Sequence, residues 1–334
     1  MQLTLVGSHA AALPIPAPQR YWNSVLPNTP MPKSLSQLVM PDFISVGKGS
    51  VILHNPVHKE ENWAYSKDSD DENARFQNDA AENAPFCVKY ADIADDPAEA
   101  ESLTQVEVDP NRTIFFLEKD LHPGKAMNYR LAGSGNSSTI PFLSRKTAER
   151  IPFSSSQLPE ILDKLSVKPG SDEADLIKGT IQNCDSPGAS DEAKQCVTSL
   201  ESMIDFATST LGSKNVLAIA TEVEQGAAPM QKYTITVDGA KRLAASNIMV
   251  CHKMSYAYAV FYCHSIEKTT TYVVPLQGAD GSKAKAVAAC HQDTSQWYPN
   301  HYAFKELNVE RGTVPICHFL KAEDVAWVTN QKPT

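Results

Sequence analysis

The chain has 334 residues and a formal net charge of -9 at pH 7, with a sequence pI near 5.5. This acidic balance and the lack of a basic cluster exclude nucleic acid as an expected partner. No apolar run approaches the ~20 residues that a membrane-spanning helix needs, so no membrane partner is expected either. The length suits an extended, largely disordered leader, 1–111, followed by one large domain, 112–330.

The N-terminus and the cysteine content bear on the compartment. Met1 to Ala12 lacks a basic region and has too short an apolar run for a complete signal peptide, so we expect an absent or truncated signal. Sequons at Asn111 and Asn136 favour the secretory route. Together with seven cysteines they indicate the secretory pathway and then the extracellular space, the vacuole or the cell wall. The odd number leaves one unpaired thiol, for which Cys87 is the candidate.

The leader contains two kinds of segment. Residues 13–32 are rich in proline and without hydrophobic period, which predicts an extended segment without a core. In this setting Tyr21 and Trp22 are a docking anchor or solvated. Residues 60–101 are strongly acidic, which predicts disorder.

Two short apolar islands interrupt the acidic tract. One runs from Asn62 to Tyr65, and the other is a hexapeptide that ends in tyrosine: Pro85, Phe86, Cys87, Val88, Lys89 and Tyr90. The hexapeptide is either a patch that docks on the domain or a substrate segment that its tether delivers at high effective concentration.

The domain is predicted to open with a strand at 112–120 and to continue with three helices. These lie near 156–165, from Ser171 onward with acids in the first turn, and from about 190 to 211 before Gly212. Cys184 precedes the third helix and Cys196 lies within it. Their separation suits a disulfide if the Cα atoms are about 5.5–6 Å apart.

After Gly212 the hydrophobic period changes from that of a helix to two. Predicted strands are 216–223, 233–237, 248–252, 256–264, 271–275, 285–291, 314–319 and 325–328. Helices followed by many strands imply an α+β fold with a mainly antiparallel sheet or sandwich.

Four Cys-His dipeptides follow one another with 10, 25 and 25 intervening residues: Cys251-His252, Cys263-His264, Cys290-His291 and Cys317-His318. Chance would give only about 0.2 such dipeptides from this composition. All four lie in or at the ends of predicted strands, where neighbouring side chains point to opposite faces. Thiols on one face can then form disulfides while imidazoles on the other converge on a metal ion.

Other arrangements stay open. The cysteines can form disulfides while the histidines remain exposed, or mixed Cys and His ligands can hold zinc, although no Cys-x-x-Cys spacing occurs. Imidazoles in a disulfide-held sheet suit Cu(II), which prefers N and O donors. Hydrolase and nucleotide motifs are absent, so catalysis would depend on the histidines. His301 is a further candidate ligand, although a surface position is more typical of such a histidine.

The series CH-x10-CH-x25-CH-x25-CH resembles the signature of the plant BURP-domain family. Phe115-Phe116, the Cys184 and Cys196 pair, and the stretch from Tyr21 to Pro32 agree with it. The resemblance covers about 112–330 and 20–32, and 33–111 corresponds to the family's variable segment. It implies a disulfide-stapled BURP-domain fold, with bridges among Cys184, Cys196, Cys251, Cys263, Cys290 and Cys317.

Some BURP-domain proteins are autocatalytic, copper-dependent peptide cyclases that join a core Tyr or Trp to a nearby sp3 carbon, with dioxygen as the oxidant. By matching position, the resemblance implies that the catalytic copper ligands are His252, His264, His291 and His318. Tyr90 would supply the phenol and Val88 or a neighbour the carbon, with Trp63 or Tyr65 as the alternative ring. The partners would be the chain's own core peptide and processing proteases.

The alternative is non-catalytic. Other family members resemble seed or stress-responsive wall proteins, or the accessory subunit of a polygalacturonase. That similarity implies a secreted binding module whose partner is a cell-wall polysaccharide and which needs no core peptide.

Overall fold

The computed structural model describes residues 15–39, 113–131, 140–186, 193–228, 230–297 and 299–330. The helices are α1 (Ala17–Val25), α2 (Lys33–Ser36), α3 (Arg145–Ala148), α4 (Leu158–Leu165), α5 (Asp172–Asp185), α6 (Leu200–Thr210) and α7 (Tyr302–Leu307). The strands are β1 (Phe115–Leu117), β2 (Ala126–Arg130), β3 (Lys194–Val197), β4 (Val216–Ile219), β5 (Glu222–Val223), β6 (Met230–Ile235), β7 (Lys241–Lys253), β8 (Phe261–Gly278), β9 (Lys283–His291), β10 (Ile316–Phe319) and β11 (Val325–Thr329). None of the described helices is long and apolar enough to cross a bilayer.

Eleven strands of the described chain form one antiparallel sheet with the main order β1-β10-β9-β8-β7-β11-β4. Strands β3 and β6 also pair with β8, β2 pairs with β6, and β5 pairs with β9. The long strand β8 therefore contacts four neighbours, and most of the sheet is built around it. The predicted α+β fold with a mainly antiparallel sheet is confirmed.

The predicted helix over 190–211 is wrong in its first half. Residues Lys194–Val197 form β3, and the helix begins only at Leu200. The Ser199 hydroxyl accepts the N–H of Ser202 at 3.1 Å, and the Ser202 hydroxyl accepts the N–H of Ser199 at 3.2 Å. This capping box starts α6 at that point, because it satisfies two backbone donors at the N-terminus.

The predicted strand over 256–264 begins only at Phe261. Before it, the N–H of Met254 donates to the carbonyl of Val260 and closes a loop. The rings of Tyr256 and Tyr258 in this loop are buried among residues of α4 and α5, so tertiary packing overrides the alternating pattern.

The N-terminal segment is helical rather than extended, contrary to the prediction for 13–32. Trp22 on α1 is 2% exposed, and its ring lies 5.6 Å from that of Trp327 on β11. Its indole Nε1 donates to the carbonyl of Thr29 at 2.9 Å. Tyr21 donates its hydroxyl to Asp205 on α6. Of the two alternatives for this aromatic pair, a docking anchor or a solvated pair, the structure shows the docking anchor, and residues 15–39 are part of the folded body.

Three disulfides connect the elements. Cys184 on α5 is bonded to Cys196 on β3, with Cα atoms 5.7 Å apart. Two further bridges join adjacent strands: Cys251 to Cys263 across β7 and β8, and Cys290 to Cys317 across β9 and β10. The predicted disulfide-stapled fold is thereby confirmed, although Cys184 lies in a helix and Cys196 in a strand.

A single extra residue in β8 sets which side chains share a face. Lys268 has a φ of 49° and no partner on β7, where Asn247 pairs with Glu267 and Ser246 with Thr269. In a regular strand Cys263 and Thr270 would face opposite sides, because they are seven positions apart. The bulge places them on one face.

Thr270 pairs with Cys290, so the two inter-strand disulfides lie on the same face of the sheet. The histidine that follows each of these four cysteines therefore points to the opposite face.

Candidate metal centre

The four histidines of the Cys-His dipeptides come together as two pairs. His252 and His264 approach with their Nε2 atoms 3.3 Å apart, and their ring centroids are 5.4 Å apart. His291 and His318 approach in the same way, again with 3.3 Å between the Nε2 atoms. Each pair adjoins one of the inter-strand disulfides, which hold the strands that carry the rings.

A buried carboxylate orients the first pair. The Oδ2 atom of Asp324 lies 3.2 Å from Nδ1 of His252, and both side chains are buried. Burial opposes ionisation of Asp324, but the adjacent His252 ring and the N–H of Lys321 lower the pKa of this carboxyl overall. The carboxylate therefore holds a proton on Nδ1 of His252 and leaves the Nε2 lone pair directed at His264.

The second pair is oriented by oxygen acceptors. Nδ1 of His318 faces the carbonyl of Phe319 at 3.4 Å, and Nδ1 of His291 faces the hydroxyl of Thr269 at 3.5 Å. The Thr269 hydroxyl donates to the carbonyl of Glu267, so it accepts from the ring. With a proton on each Nδ1 atom, the Nε2 lone pairs of the two rings face each other, an arrangement that favours a shared proton or another cation between them.

The two pairs lie close enough to interact. Loss of hydration in this partly buried position, followed by the neighbouring rings of His318, His264 and His301, holds the pKa of His291 well below its ordinary value. His291 is therefore neutral at physiological pH. A neutral imidazole is the form that binds metal ions.

The donor set fits a metal ion in part. Two nitrogen ligands at about 2.0–2.1 Å from one ion lie roughly 3 Å apart, so each Nε2–Nε2 separation suits two ligands of one ion. Among the residues that the structure describes, no group of three or more His, Cys, Asp or Glu side chains is arranged to hold a metal. The geometry thus offers two imidazole pairs, of the donor type that suits Cu(II).

An aromatic rim lies beside the second pair. The Trp297 ring lies 5.0 Å from that of His291 and 4.5 Å from that of His301, and Phe115 lies 6.2 Å from His318. Sequence reasoning singled out Phe115 only as the start of the domain and did not identify Trp297. The position of Trp297 between the third and fourth Cys-His pairs was the one signal that could have indicated it.

The expectation that His301 is a surface histidine is wrong. Its side chain is 6% exposed, and burial, followed by the interaction with the neighbouring His318 ring, lowers the pKa of His301 to about 4. Nδ1 of His301 accepts the N–H of Ala303 at the start of α7. The neutral ring therefore has its proton on Nε2, and His301 is a donor in this geometry rather than a ligand.

Lys194 and Asp324 are further residues that the sequence patterns did not indicate. Lys194 pairs with His264 across β3 and β8, and its ammonium lies 5.5 Å from the centre of the Tyr262 ring. Its Nζ is buried without a hydrogen-bond partner. Neither residue belongs to a recognisable motif. Strand pairing places Lys194 beside His264, and a turn places Asp324 beside His252.

The hexapeptide Pro85–Tyr90 lies outside the described residues, as do Trp63, Tyr65 and Cys87. The described chain resumes at Thr113, and the next strand β1 pairs Phe115 with His318. The end of the leader therefore enters the domain directly beside the second imidazole pair.

A comparison with protein-family models decides the classification. The family model of the BURP domain matches residues 114–329. The chain belongs to the BURP-domain family. Among similar proteins, BURP domain protein RD22 of Arabidopsis thaliana is 52% identical over 225 residues, which are 67% of this chain and 57% of RD22. BURP domain-containing protein 3 of Oryza sativa subsp. japonica is 46% identical over 248 residues, 73% of this chain and 55% of that protein.

BURP domain-containing protein 5 of the same rice subspecies is 38% identical over 325 residues, which cover 96% of this chain and 88% of that protein. By contrast, the matches to RD22 and to rice protein 3 span little more than half of the length of those relatives.

Proposed function

We propose that this BURP-domain protein is a copper-dependent oxidative cyclase that crosslinks a core peptide in its own leader. The observation that carries the proposal is the arrangement of two imidazole pairs on the face opposite to the disulfides, with Nε2 atoms 3.3 Å apart in each pair. Copper, when bound by His252, His264, His291 and His318, supplies one-electron redox chemistry. The disulfides support an oxidising compartment, hence secretion.

The proposed reaction removes two hydrogen atoms. A bond between the Tyr90 side chain and an aliphatic carbon of Val88 replaces one bond to hydrogen on each residue. Two electrons and two protons leave the peptide, and dioxygen accepts them as hydrogen peroxide. The protein contributes orientation, since Asp324 holds the proton on Nδ1 of His252, and the sheet fixes the rings before the substrate arrives.

The connection between the leader and the domain supports an intramolecular substrate. Tyr90 is 23 residues from Thr113, and Trp63 is 50 residues from it. For a chain without fixed structure, as the acidic composition predicts, effective concentration falls as roughly the -3/2 power of the connecting length. Counted from Thr113 alone, this relation favours Tyr90 over Trp63 by about threefold. Trp63 lies 24 residues after Val39, where the described N-terminal segment ends. Processing proteases would then release the crosslinked peptide.

The direct test is tandem mass spectrometry of the 60–100 segment after incubation of the purified protein with Cu(II) and air. We expect the segment to lose the mass of two hydrogen atoms per crosslink, and we expect Tyr90→Phe to prevent the loss. Lys89→Ala serves as the matched control, because it leaves the phenol in place. An unchanged mass after verified copper loading would refute the cyclase.

A second function is favoured by a different part of the molecule. A cleft of about 1100 Å³ lies between α2, β5 and the start of β9, at the end of β9 opposite to Cys290-His291. Lys33, Lys283 and Lys285 line it, and within the described chain none of their ammonium groups forms an ion pair. Glu222 and Glu224 line it as well, so the cleft has mixed charge.

Such a cleft suits a secreted, non-catalytic module that binds a carboxylate-bearing wall polysaccharide. Titration with a polygalacturonate oligomer tests this alternative. We expect binding that weakens with salt and with the double substitution K283Q/K285Q, but not with K305Q on α7. Equal binding of the oligomer by both variants would exclude this cleft as the polysaccharide-binding site.

A further inference from the structure

Within the described residues, the imidazole site is more exposed at the second pair than at the first. His252, His264 and His301 are buried, whereas His291, His318 and Trp297 are partly exposed. A ligand from outside therefore meets these last three side chains first. Of the three, Trp297 has the largest aromatic ring system.

The backbone of Trp297 is fixed from both sides. Its N–H donates to the carbonyl of Thr294 at 3.1 Å, and its carbonyl accepts from Arg311 at 3.3 Å. The hydroxyl of Thr294 in turn accepts the N–H of Gly312 at 2.9 Å. Gly312 has a φ of 75°, a conformation that favours glycine, and a Cβ atom added there would lie only 3.3 Å from the Ser295 backbone. Position 312 therefore requires glycine. The indole is thus held in place before any ligand arrives, as a binding wall requires.

Neighbouring rings fix the orientation of the indole as well. His301 lies 4.5 Å away, His291 contacts it edge-on at an interplanar angle of 71°, and Phe115 lies 6.4 Å away. Phe115 is two residues after Thr113, where the leader enters the domain. The Trp297 indole therefore lies close to the point where the leader enters the domain.

We infer that Trp297 is the wall against which an aromatic side chain of the leader, that of Tyr90, stacks beside the His291–His318 pair. The inference rests on the proposed cyclase and adds its specificity: the site accepts a planar aromatic ring because the Trp297 indole borders it. The leader is the expected occupant of the space beside Trp297, because it enters the domain next to Phe115 and Tyr90 lies 23 positions before Thr113. Fully extended, that connection spans up to about 80 Å, so reach is no obstacle.

The inference is tested without reference to activity by fluorine NMR of the full-length protein labelled with 5-fluorotryptophan. The chain has four tryptophans, and Trp297→Phe identifies the resonance of Trp297. We expect Tyr90→Ala to shift this resonance, because removal of a stacked ring changes its shielding. The resonances of the buried Trp22 and Trp327 serve as internal controls and should stay in place.

A resonance of Trp297 that Tyr90→Ala leaves unmoved would overturn the inference. If instead Phe86→Ala or Tyr65→Ala moves it, the leader ring is a different one and the assignment to Tyr90 is wrong.

A second experiment tests the role of Trp297 by measuring the rate of crosslinking in copper-loaded protein. Trp297→Ala should slow the reaction about 10-fold, as expected for the loss of one aromatic stacking contact, while Trp297→Phe should slow it less than about threefold. Copper content should be unchanged in both variants, because Trp297 is not a ligand. Equal rates for Trp297→Ala and the wild type would contradict the inference. If the wild type forms no crosslink at all, the proposed function fails, and the NMR arm still decides whether the wall binds a leader ring.

Discussion

At the scale of single residues, the chemistry of the site depends on partners that the Cys-His pattern does not reveal. The pattern predicted disulfides and a set of imidazoles on opposite faces, because adjacent strand residues alternate. It could not predict that Asp324 would orient His252, since 71 residues separate the two in sequence and a turn after β10 brings them together. The tautomers of the imidazoles are set by such partners rather than by the motif.

Asp324→Asn tests this orientation. The amide keeps the shape of the side chain but loses the charge that holds the proton on Nδ1 of His252. We expect copper affinity to fall about 10–100-fold, as is usual when a carboxylate behind a metal-binding histidine is removed. Chelator competition at constant pH measures the change. Glu323→Gln, which removes a charge from the adjacent residue, should leave the affinity within about twofold; equal losses in both variants would contradict the assignment.

At the scale of secondary structure, the bulge in β8 decides the geometry of the site. Patterning located most strands correctly but missed the extra residue at Lys268, because a single αL residue leaves no mark on hydrophobic alternation over so short a distance. Without it, the Cys290–Cys317 disulfide and the Cys251–Cys263 disulfide would lie on different faces. The placement of all four histidines on one face could therefore be hypothesised from the sequence, but their spacing alone could not establish it.

The bulge predicts a difference between two substitutions at Lys268. A β-branched residue adopts a φ of 49° only with strain, so Lys268→Val should lower the free energy of unfolding by about 1–2 kcal/mol. Asparagine tolerates this conformation, so Lys268→Asn should change it by less than about 0.5 kcal/mol, although both variants lose the exposed ion pair with Asp293. Urea unfolding gives both values. Equal destabilisation by the two substitutions would show that the conformation of this residue is not what matters.

At the scale of the whole molecule, the stretch 40–112 is joined at both ends to described parts of the fold. Residues 15–39 dock through Trp22, and the described chain resumes at Thr113 beside the imidazoles. The residues on both sides of 40–112 therefore belong to the same folded domain. The proline content of the N-terminal stretch suggested an extended chain. Its burial depends on the distant surface of α6 and β11, which the local sequence does not encode.

Trp22→Ala tests this attachment. The ring is 2% exposed and packs on Trp327, so its removal should lower the free energy of unfolding by about 3–5 kcal/mol. Ser24→Ala on the exposed side of the same helix should change it by less than about 0.5 kcal/mol. Thermal or urea unfolding of the full chain measures both. A Trp22→Ala variant as stable as the wild type would mean that the N-terminal segment does not belong to the folded body.

The central claim is that the two imidazole pairs form one copper-binding face. Electron paramagnetic resonance of the Cu(II)-loaded protein, with copper content measured on the same samples, tests it most directly. We predict nitrogen couplings from imidazole in the wild type, and a loss of both coupling and bound copper in H252Q/H264Q and in H291Q/H318Q, while the exposed His122→Gln leaves both unchanged. Spectra and copper content that are the same in the two pair variants as in His122→Gln would contradict the account.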